Sequence, residues 1–511
     1  MIEEIVRWQK NTHRTELDRV KSGKDQIIRE KGVEEEEEIK DVDSVVVMEK
    51  LKDVASFRKR ENPYARAIRI LKQDLVNGFK RPLQPGHLTL FPHFTDILII
   101  GGAAVGSSIA YFLKEKTGPT GLRVVVVEKD PTYSKCSTVL SCGGLRQQFS
   151  LSENIQMSLY GAEFLRDFKN RFGPNSDVYF TPNGYLMLAS EHGAQQLLDN
   201  AKLQKHLGAI NTVLSKEALK ERYPWLNVAD IELGCLGLEK EGWFDPWSLL
   251  TALKQGAAAL ETEFLQGEMI GFTFKDQEDL VVNNVVESSY QALDEAQIKL
   301  PDGEIKSIKF AYCVIAAGAE SGEVAKLAKI GTGSNILSIP LPVERRKRYV
   351  YCYDCQGEGP GLNTPFTIDH RGVYFRREGL GGMYICGLSP GPDEEPDTSN
   401  LDVDHQYFDD KVWPLLAERV PAFNSIKVKS AWSGYYDYNS FDENGIIGPH
   451  PYYHNLYFAT GFSGHGIQQS PAVGRAVAEH IVDGRYQTID LTRFSFERML
   501  LDKPMYEVCI V

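Results

Sequence analysis

The sequence has no long unbroken run of apolar residues and no large cluster of basic ones. Its most apolar segment, residues 97–113, contains two adjacent glycines and two serines, and it falls short of the roughly 18 apolar residues that a membrane-spanning helix needs. The net charge is −13, and the basic clusters at residues 58–60 and 345–348 are short. Nucleic-acid binding requires a clustered basic face, so the sequence predicts neither a membrane span nor a nucleic-acid partner.

Cysteine is also scarce. The eight cysteines are spread along the 511 residues and form no framework of the kind seen in secreted disulfide-rich domains, so we expect reduced thiols. Cys352 and Cys355 make a single C-x-x-C pair, but no second pair or histidine pair stands nearby, and Cys352 belongs to a strand-like run. This spacing argues against a metal or redox site.

The first 90 or so residues differ in composition from the remainder. Lys, Arg and Glu dominate, residues 34–38 are all glutamate, and apolar residues are few. This predicts a disordered or loosely helical extension over residues 1–92. The first four residues lack the arginines and serines of a mitochondrial presequence, so the sequence itself predicts no targeting signal.

A buried-strand pattern begins at residue 96 and leads into a glycine turn and a helix over residues 107–114. The turn contains Gly101, Gly102, Ala103 and Gly106. The helix start would offer its N–H groups to a pyrophosphate, and a second apolar strand, residues 124–127, ends in Glu128, where a ribose hydroxyl would be held. This order predicts a dinucleotide-binding unit, in which Ala103 replaces the middle glycine of the fingerprint.

The remainder of the chain alternates between helical and strand-like patterns. Helices are predicted near residues 153–171, 246–260 and 469–482, and strands near residues 185–189, 267–274, 311–316 and 456–460. Residues 343–438 are rich in strand patterns, as in a mostly antiparallel substrate domain. The predicted division is an extension (1–92), a nucleotide-binding part in three pieces (93–180, 236–335 and 436–490), a substrate part in two pieces (181–235 and 336–435) and a C-terminal tail (491–511). Two ends of the sequence would thus build one nucleotide domain.

A second glycine-rich loop lies between the strand at 456–460 and the following helix. It contains Gly461, Gly464, His465 and Gly466. Such a loop lets the backbone approach a flat ring, and a helix N-terminus stabilises the negative charge that a reduced flavin carries at one edge, which favours FAD over NAD. His465 would contact the flavin or the substrate, or would be a turn histidine satisfied by backbone groups.

Two other features have alternative interpretations. Arg146, one loop after Glu128, would reach the flavin or form a surface salt bridge. The aromatic run over residues 432–438 would wall a pocket that shields hydride transfer from water, or would be ordinary core.

Together these motifs resemble the D-amino-acid-oxidase-like flavoproteins, which include sarcosine oxidase, glycine oxidase and dimethylglycine dehydrogenase. The resemblance covers residues 94–490 and rests on the Gly101 turn, Glu128-Lys129 and residues 143–146, 243–246, 317–318 and 460–466. It implies an α/β fold, with a Rossmann-like FAD-binding domain and an inserted, mostly antiparallel α+β substrate domain. Besides the glycines and Glu128, it implies FAD contacts from Ala103, Lys129, Gly144, Arg146, Ala317, Gly318, His465, Ile467 and Gln468. It implies catalytic roles for His465, Tyr436 and Arg376.

Four further stretches resemble one subgroup of this family: residues 346–351, 374–381, 434–439 and 487–491. That resemblance implies a mitochondrial protein on the matrix side of the inner membrane that assists assembly of respiratory complex I, with complex I subunits or assembly intermediates as partners. It also implies oxidation of a C–N bond in an amine or amino-acid substrate. The amine loses its proton, a hydride passes from carbon to the flavin, and the imine is hydrolysed.

The sequence departs from the family where sarcosine oxidases hold a substrate carboxylate. Gln468 stands in place of a lysine and Phe149 in place of an arginine, so two cationic contacts are missing, and we expect sarcosine and D-alanine to be poor substrates. Arg376 and Arg377 would restore such a contact from a neighbouring strand. Gly434 stands near the position of the cysteine that carries covalent flavin, which favours non-covalent FAD. Two hypotheses remain: an active amine oxidoreductase, or an FAD-containing assembly factor with little turnover.

Overall fold

The computed structural model describes residues 91–508, apart from residues 239, 278–289, 356 and 358. The predicted N-terminal extension therefore lies outside the described residues up to residue 90. Within the described part, no helix is both long enough and apolar enough to cross a membrane. The seven cysteines in that part are free thiols.

The described residues contain eighteen strands, numbered here in chain order. They are β1 Phe94–Ile100, β2 Val124–Glu128, β3 Gly144–Leu145, β4 Tyr185–Ala189, β5 Asn211–Ser215, β6 Leu233–Gly237, β7 Gly242–Trp243, β8 Glu263–Gln266, β9 Glu268–Asp276, β10 Gln291–Lys299, β11 Ile305–Ile315, β12 Val343–Cys355, β13 Phe366–Ile368, β14 Tyr374–Glu378, β15 Met383–Gly387, β16 Ile426–Asn439, β17 Ile446–Pro449 and β18 Leu456–Thr460.

The α-helices of the same part are α1 Ala104–Thr117, α2 Ser152–Arg166, α3 Phe168–Phe172, α4 Ala194–His206, α5 Lys216–Arg222, α6 Pro246–Ala259, α7 Ser321–Leu327, α8 His405–Tyr407, α9 Trp413–Arg419, α10 Gly466–Asp483 and α11 Glu497–Leu500. Asp245 caps α6 by accepting the N–H of Ser248, and Pro246 is its first residue, as predicted. The single helix predicted near residues 153–171 is divided into α2 and α3, because Asp167 leaves the helical conformation with φ −84° and ψ 5°.

Strand β1 lies inside an eight-stranded sheet with the order β17-β18-β11-β1-β2-β8, to which β10 and β9 are added beside β11. Strands β2 and β11 flank β1 in parallel, with Ile97 opposite Val124 and Ile100 opposite Ile315. Ile97 packs among the helices on one face, whereas Leu98 packs in the apolar layer formed with β9 and β10. Burial on both faces explains why β1 and β2 are apolar along almost their whole length.

Strand β18 completes this sheet from the C-terminal end of the sequence. It pairs in parallel with β11, with Cys313 opposite Leu456, and α10 then packs in the helical layer beside α1. Two distant parts of the sequence therefore contribute strands to one sheet.

A second eight-stranded sheet has the order β16-β12-β15-β14-β13-β4-β6-β5. Its neighbouring strands are antiparallel except for the pair β13 and β4. Strand β16 is long and crosses the predicted boundary at residues 435/436, so its last residues reach the neighbourhood of the β18–α10 loop. The predicted division into domains stays a prediction.

Candidate functional site

A cavity of about 930 Å³ extends from the first sheet to the second. At one end it is lined by Ile100, Glu128 and Ala316, which lie at or just beyond the carboxyl ends of the parallel strands β1, β2 and β11. At the other end it is lined by side chains of the second sheet, including Tyr185 and Phe366. Ligands of open α/β sheets bind outside the carboxyl ends of the strands, so this cavity is the candidate site.

The turn after β1 shapes the first end of the cavity. Gly101 has φ +101°, and a Cβ there would overlap the carbonyl oxygen of Ala316. The N–H of Gly102 donates to Oε2 of Glu128 at 2.8 Å, and the N–H of Asp130 donates to Oε1 at 2.9 Å. Desolvation raises the pKa of Glu128, and these two N–H groups oppose that rise. The carboxylate therefore joins the glycine turn to the end of β2.

Helix α1 begins at Ala104, three residues before the predicted start. Gly106 belongs to its first turn, where a Cβ would overlap the carbonyl oxygen of Gly101. Gly106 therefore allows helix α1 to pack closely against the Gly101 turn, and it is not part of the loop. Ala103 lines the cavity just before the helix, and the N–H of Ala104 donates to Oγ1 of Thr138 at 3.3 Å. The methyl group of Ala103 is thus accommodated in the cavity wall.

The loop between β18 and α10 forms another wall. On β16, Oδ2 of Asp437 accepts the N–H groups of Gly461 and Phe462 at 2.9 and 3.0 Å. Desolvation raises the pKa of this buried carboxyl group to about 6, and the two N–H groups oppose the rise. Gly464 has φ +96°, and a Cβ there would overlap the ring of Tyr436. Two neighbouring residues of one strand therefore fix the loop, and α10 starts directly after it instead of at the predicted residue 469.

Arg146 and His465 meet in the cavity wall. Nη2 of Arg146 lies 3.1 Å from Nε2 of His465. Because a guanidinium group only donates, His465 accepts this bond and is neutral. Burial and, to a smaller extent, the charge of Arg146 lower the pKa of His465 to about 3. Arg146 is 3 % exposed, so the surface salt bridge considered for it is wrong.

Phe149 supports this pair from behind. Its ring centroid lies 4.8 Å from the guanidinium carbon of Arg146, and it meets the His465 ring edge to face at 5.2 Å. Phe149 is fully buried and is not part of the cavity lining. Phe149, which stands in place of an arginine, therefore lies behind the cavity wall and does not face a substrate.

The segment that starts at Arg146 is held by long polar side chains from other elements. Its backbone bonds are Arg146 N–H to Gln468 Oε1 at 2.9 Å, Gln147 N–H to Glu241 Oε1 at 2.9 Å and Gln204 Nε2 to Phe149 O at 2.9 Å. Glu241 is 1 % exposed, and desolvation raises its pKa to about 7. The position of Arg146 is thus set by residues that are far from it in sequence.

The end of the cavity formed by the second sheet is aromatic. Tyr185 and Phe366 stack with their centroids 4.2 Å apart, and Tyr374 packs on Phe366 at 5.6 Å. Burial raises the pKa of Tyr436 to about 12, so its hydroxyl stays protonated near neutral pH. Of the predicted aromatic run, Tyr435 and Tyr436 line the cavity, which agrees with the pocket interpretation for these two residues.

Most of the predicted site residues lie along the cavity. They are Gly101, Ala103, Glu128, Lys129, Gly144, Arg146, Ala317, Gly318, Tyr436, Gly464, His465, Gly466, Ile467 and Gln468. Gly102, Gly106 and Gly461 do not line it, but they shape the two loops that do. These three glycines are predicted to contact FAD, but their positions indicate an indirect role, through the shape of the loops.

The predicted substrate contact of Arg376 and Arg377 is wrong, because neither side chain lines the cavity. Nε of Arg376 donates to the carbonyl oxygen of Cys142 at 2.9 Å, and its Nη1 donates to Glu378 at 2.6 Å. Arg377 donates to the carbonyl oxygen of Pro360 at 3.0 Å. Arg376 braces the backbone of Cys142 beside the cavity, and the geometry gives no support to its predicted catalytic role.

Sequence reasoning missed three residues that organise the site: Asp437, Glu241 and Gln204. Asp437 had a usable signal, since an acidic residue inside an aromatic strand must be paired when it is buried. Glu241 stands in a short charged stretch before α6, and nothing in the sequence indicates that this glutamate is buried. Gln204 lies on an amphipathic helix, and nothing in the sequence indicates that it reaches residue 149.

The comparisons with known proteins agree with this geometry. A family model described as FAD dependent oxidoreductase matches residues 96–480. The chain belongs to this family. It is 51 % identical over 422 residues to the FAD-dependent oxidoreductase domain-containing protein 1 homolog of Drosophila melanogaster, covering 82 % of this chain and 81 % of the relative. It is 47 % identical over 428 residues to the Bos taurus protein of that name, covering 82 % and 88 %. These relatives confirm the subgroup predicted from the sequence.

Solved structures confirm the fold of this flavoprotein. L-proline dehydrogenase from P. horikoshii matches with a TM-score of 0.66 and 24 % identity, covering 81 % of this chain and all of the other. Glycine oxidase from Geobacillus kaustophilus matches with a TM-score of 0.62 and 21 % identity, covering 79 % and 98 %. The predicted α/β fold is therefore confirmed.

The cofactor of the family is FAD, and the residues of the cavity fit it. Gly101 packs against the backbone of Ala316, which brings the turn and the start of α1 to the edge of the cavity, where a helix N-terminus suits a diphosphate. Glu128 lies at the end of β2, where a ribose is held. Gly464 and the first residues of α10 line the cavity, and a helix N-terminus there suits the negative charge of a reduced flavin ring.

Proposed function

We propose that this flavoprotein oxidises a C–N bond in a small secondary amine or N-methyl amino acid. The observation that carries the proposal is the pair of Arg146 and His465, which sets a buried cation beside a neutral imidazole in the cavity wall. The aromatic side chains Tyr185, Phe366 and Tyr374 line the apolar end of the same cavity. Such a site suits a substrate that carries one carboxylate next to an uncharged amine.

The residues of the chain then have distinct roles. Arg146 binds the carboxylate through charge-assisted hydrogen bonds, and its positive charge disfavours an ammonium group nearby, so the amine binds in its neutral form. His465 stays neutral at physiological pH and orients the guanidinium group. The aromatic end excludes water and holds the substrate carbon in place, because misplacement by about 1 Å can cost on the order of 100-fold in rate. FAD, when bound, supplies the acceptor for the hydride.

Anaerobic stopped-flow mixing of the holoprotein with a panel of N-methyl amino acids tests this proposal. We expect at least one of them to bleach the flavin absorbance at about 1 per second or faster, the range of working enzymes. Arg146→Met should raise the apparent dissociation constant of that substrate about 10- to 100-fold, since one charge-assisted contact is lost. Arg377→Met is the matched control, because it removes another buried arginine whose bond to Pro360 lies outside the cavity lining. No bleaching by any of the panel, or equal effects of the two substitutions, would contradict the proposal.

Sarcosine and D-alanine should be poor substrates. The site offers Gln468 where sarcosine oxidases are expected to carry a lysine, and a neutral hydrogen bond is roughly half as strong as a charge-assisted one. We expect flavin reduction by sarcosine to be slower than about 1 per second. Faster reduction would mean that Arg146 alone replaces both cations.

The second candidate is an FAD-containing assembly factor with little turnover. The uncharged Gln468 in the cavity wall favours it, and the resemblance to the subgroup supports a role in complex I assembly on the matrix side of the mitochondrial inner membrane. Cells that lack the protein can be complemented with Arg146→Met or with Glu128→Ala. Restoration of complex I by the first but not the second variant would favour this candidate, and failure of both would favour the enzyme. Fractionation with protease protection tests the location.

A further inference from the structure

Helix α2 obtains its N-terminal cap from the far end of the chain. Leu151 at its N-cap provides no side-chain hydrogen bond, although the first N–H groups of a helix need acceptors. The carboxylate of Glu507 satisfies the N-cap N–H and fixes the residues around it: Oε2 accepts the N–H and the hydroxyl of Ser150 at 2.7 and 2.6 Å, and Oε1 accepts the N–H of Leu151 at 3.0 Å and Nδ2 of Asn154 at 2.7 Å. A negative charge at this end also suits the helix dipole. Glu507 is 9 % exposed.

The tail that carries Glu507 is itself anchored. The N–H of Met505 donates to Oδ2 of Asp442 at 3.1 Å, and Asn444 donates to the carbonyl oxygen of Met505. Asp442 also forms a buried, two-bond ion pair with Arg498 at 2.7 and 2.9 Å. Asp442 and Asn444 therefore hold the backbone just before Glu507, and Arg498 holds Asp442 in place.

The capped segment leads directly into the flavin site. Asn154 accepts Nε2 of Gln469 at 3.0 Å, which ties the start of α2 to the start of α10 next to Gln468. On the other side, Ser150 follows Phe149, whose ring supports Arg146 and His465. A shift of the Ser150 backbone therefore reaches both supports of the Arg146 guanidinium group.

We propose that Glu507 is a positioning residue for the flavin site, which fixes Arg146 and His465 through Phe149 and Asn154. It lies beyond residue 480, where the match to the family model ends. The segment around Glu507 thus supports the flavin site although it does not line the cavity. The proposal rests on FAD binding and not on amine oxidation, so its test needs no substrate.

Sulfite titration of the purified holoprotein measures this role. Sulfite adds reversibly to a flavin, and a nearby positive charge such as Arg146 stabilises the resulting anion. Glu507→Ala should weaken sulfite binding about tenfold, in line with the loss of one contact to a charged group. Glu507→Gln keeps one acceptor oxygen and should fall between Glu507→Ala and the unaltered protein. Tyr506→Ala is the matched control, because that neighbouring side chain is 61 % exposed.

The melting temperature of each variant separates positioning from simple stabilisation. A lower melting temperature with unchanged sulfite affinity in Glu507→Gln would overturn the proposal, because the residue would then only stabilise the fold. Equal weakening in Tyr506→Ala would overturn it as well. If Glu507→Ala fails to fold, the graded response of Glu507→Gln still decides, since it retains half of the carboxylate's acceptors.

Discussion

Replacing Glu128 by alanine should separate two functions that one carboxylate combines. In the apoprotein the substitution leaves the N–H groups of Gly102 and Asp130 without their acceptor, and both lie in partly buried positions. At about 1 kcal/mol for each such group, the free energy of unfolding should fall by about 2 kcal/mol. In the holoprotein the ribose also loses its acceptor, which should cost another 1 to 3 kcal/mol, or about 5- to 150-fold in FAD affinity.

Two titrations measure these effects. Calorimetric titration of apoprotein with FAD gives the affinity, and urea unfolding of the apoprotein gives the stability. Glu128→Gln retains one oxygen for Gly102, so its stability should lie between those of the alanine variant and the unaltered protein. Glu263→Gln is the control, because it removes a half-exposed carboxylate from the adjacent strand β8, where Glu263 pairs with Arg123 at 2.8 Å. An FAD dissociation constant that changes less than about threefold in Glu128→Ala would refute the ribose assignment.

Three other predictions concern the same cavity. Gly101→Ala should abolish FAD binding, because the new Cβ overlaps the carbonyl oxygen of Ala316. Gly118→Ala is the control: it is also at positive φ but has open space around it, so it should retain FAD. Equal FAD retention by the two variants would contradict the close-packing argument. The pKa of Glu241 is raised from 4.5 to about 7, so between pH 4.5 and 7 the folded state binds more protons than the unfolded state. Stability should therefore fall as pH rises from about 4.5 to 7, and Glu241→Gln should flatten this slope in urea unfolding. Acid precipitation should release the flavin into the supernatant, since Gly434 lacks an attachment atom; flavin in the pellet would point to Cys136 or Cys142, which line the cavity.

The parts of the site that sequence reasoning located are those built from consecutive residues. Strand β1, its glycine turn and Glu128 lie in one short stretch, and the alternation of apolar runs with glycines gives their order directly. The bounds of β18 were predicted to the residue, because burial on both faces makes such a strand a continuous apolar run. The helix starts were less accurate, since Gly106 and Gly466 look like loop residues but belong to helices.

The arginines illustrate what the sequence could not supply. Arg146, Arg376 and Arg377 are all buried, and a pattern of residues does not tell which of them faces the cavity. The choice depends on partners distant in the chain: Gln468 and His465 for Arg146, and the carbonyl oxygen of Cys142 for Arg376. Alternation along β14 indicates a face of the sheet, but it does not indicate where a long side chain ends.

The pairing of β18 with β11 also bears on the synthesis of the protein. The glycine turn after β1 leaves the ribosome more than 350 residues before β18 and the loop at Gly464. At about 5 to 20 residues per second, that interval lasts roughly 20 to 70 seconds. During it the apolar surface of α1 lacks α10, and from residue 315 onward one edge of β11 also lacks β18. A nascent chain therefore has Gly101 and Glu128 of the cofactor site long before the Gly464 loop closes another wall of the cavity.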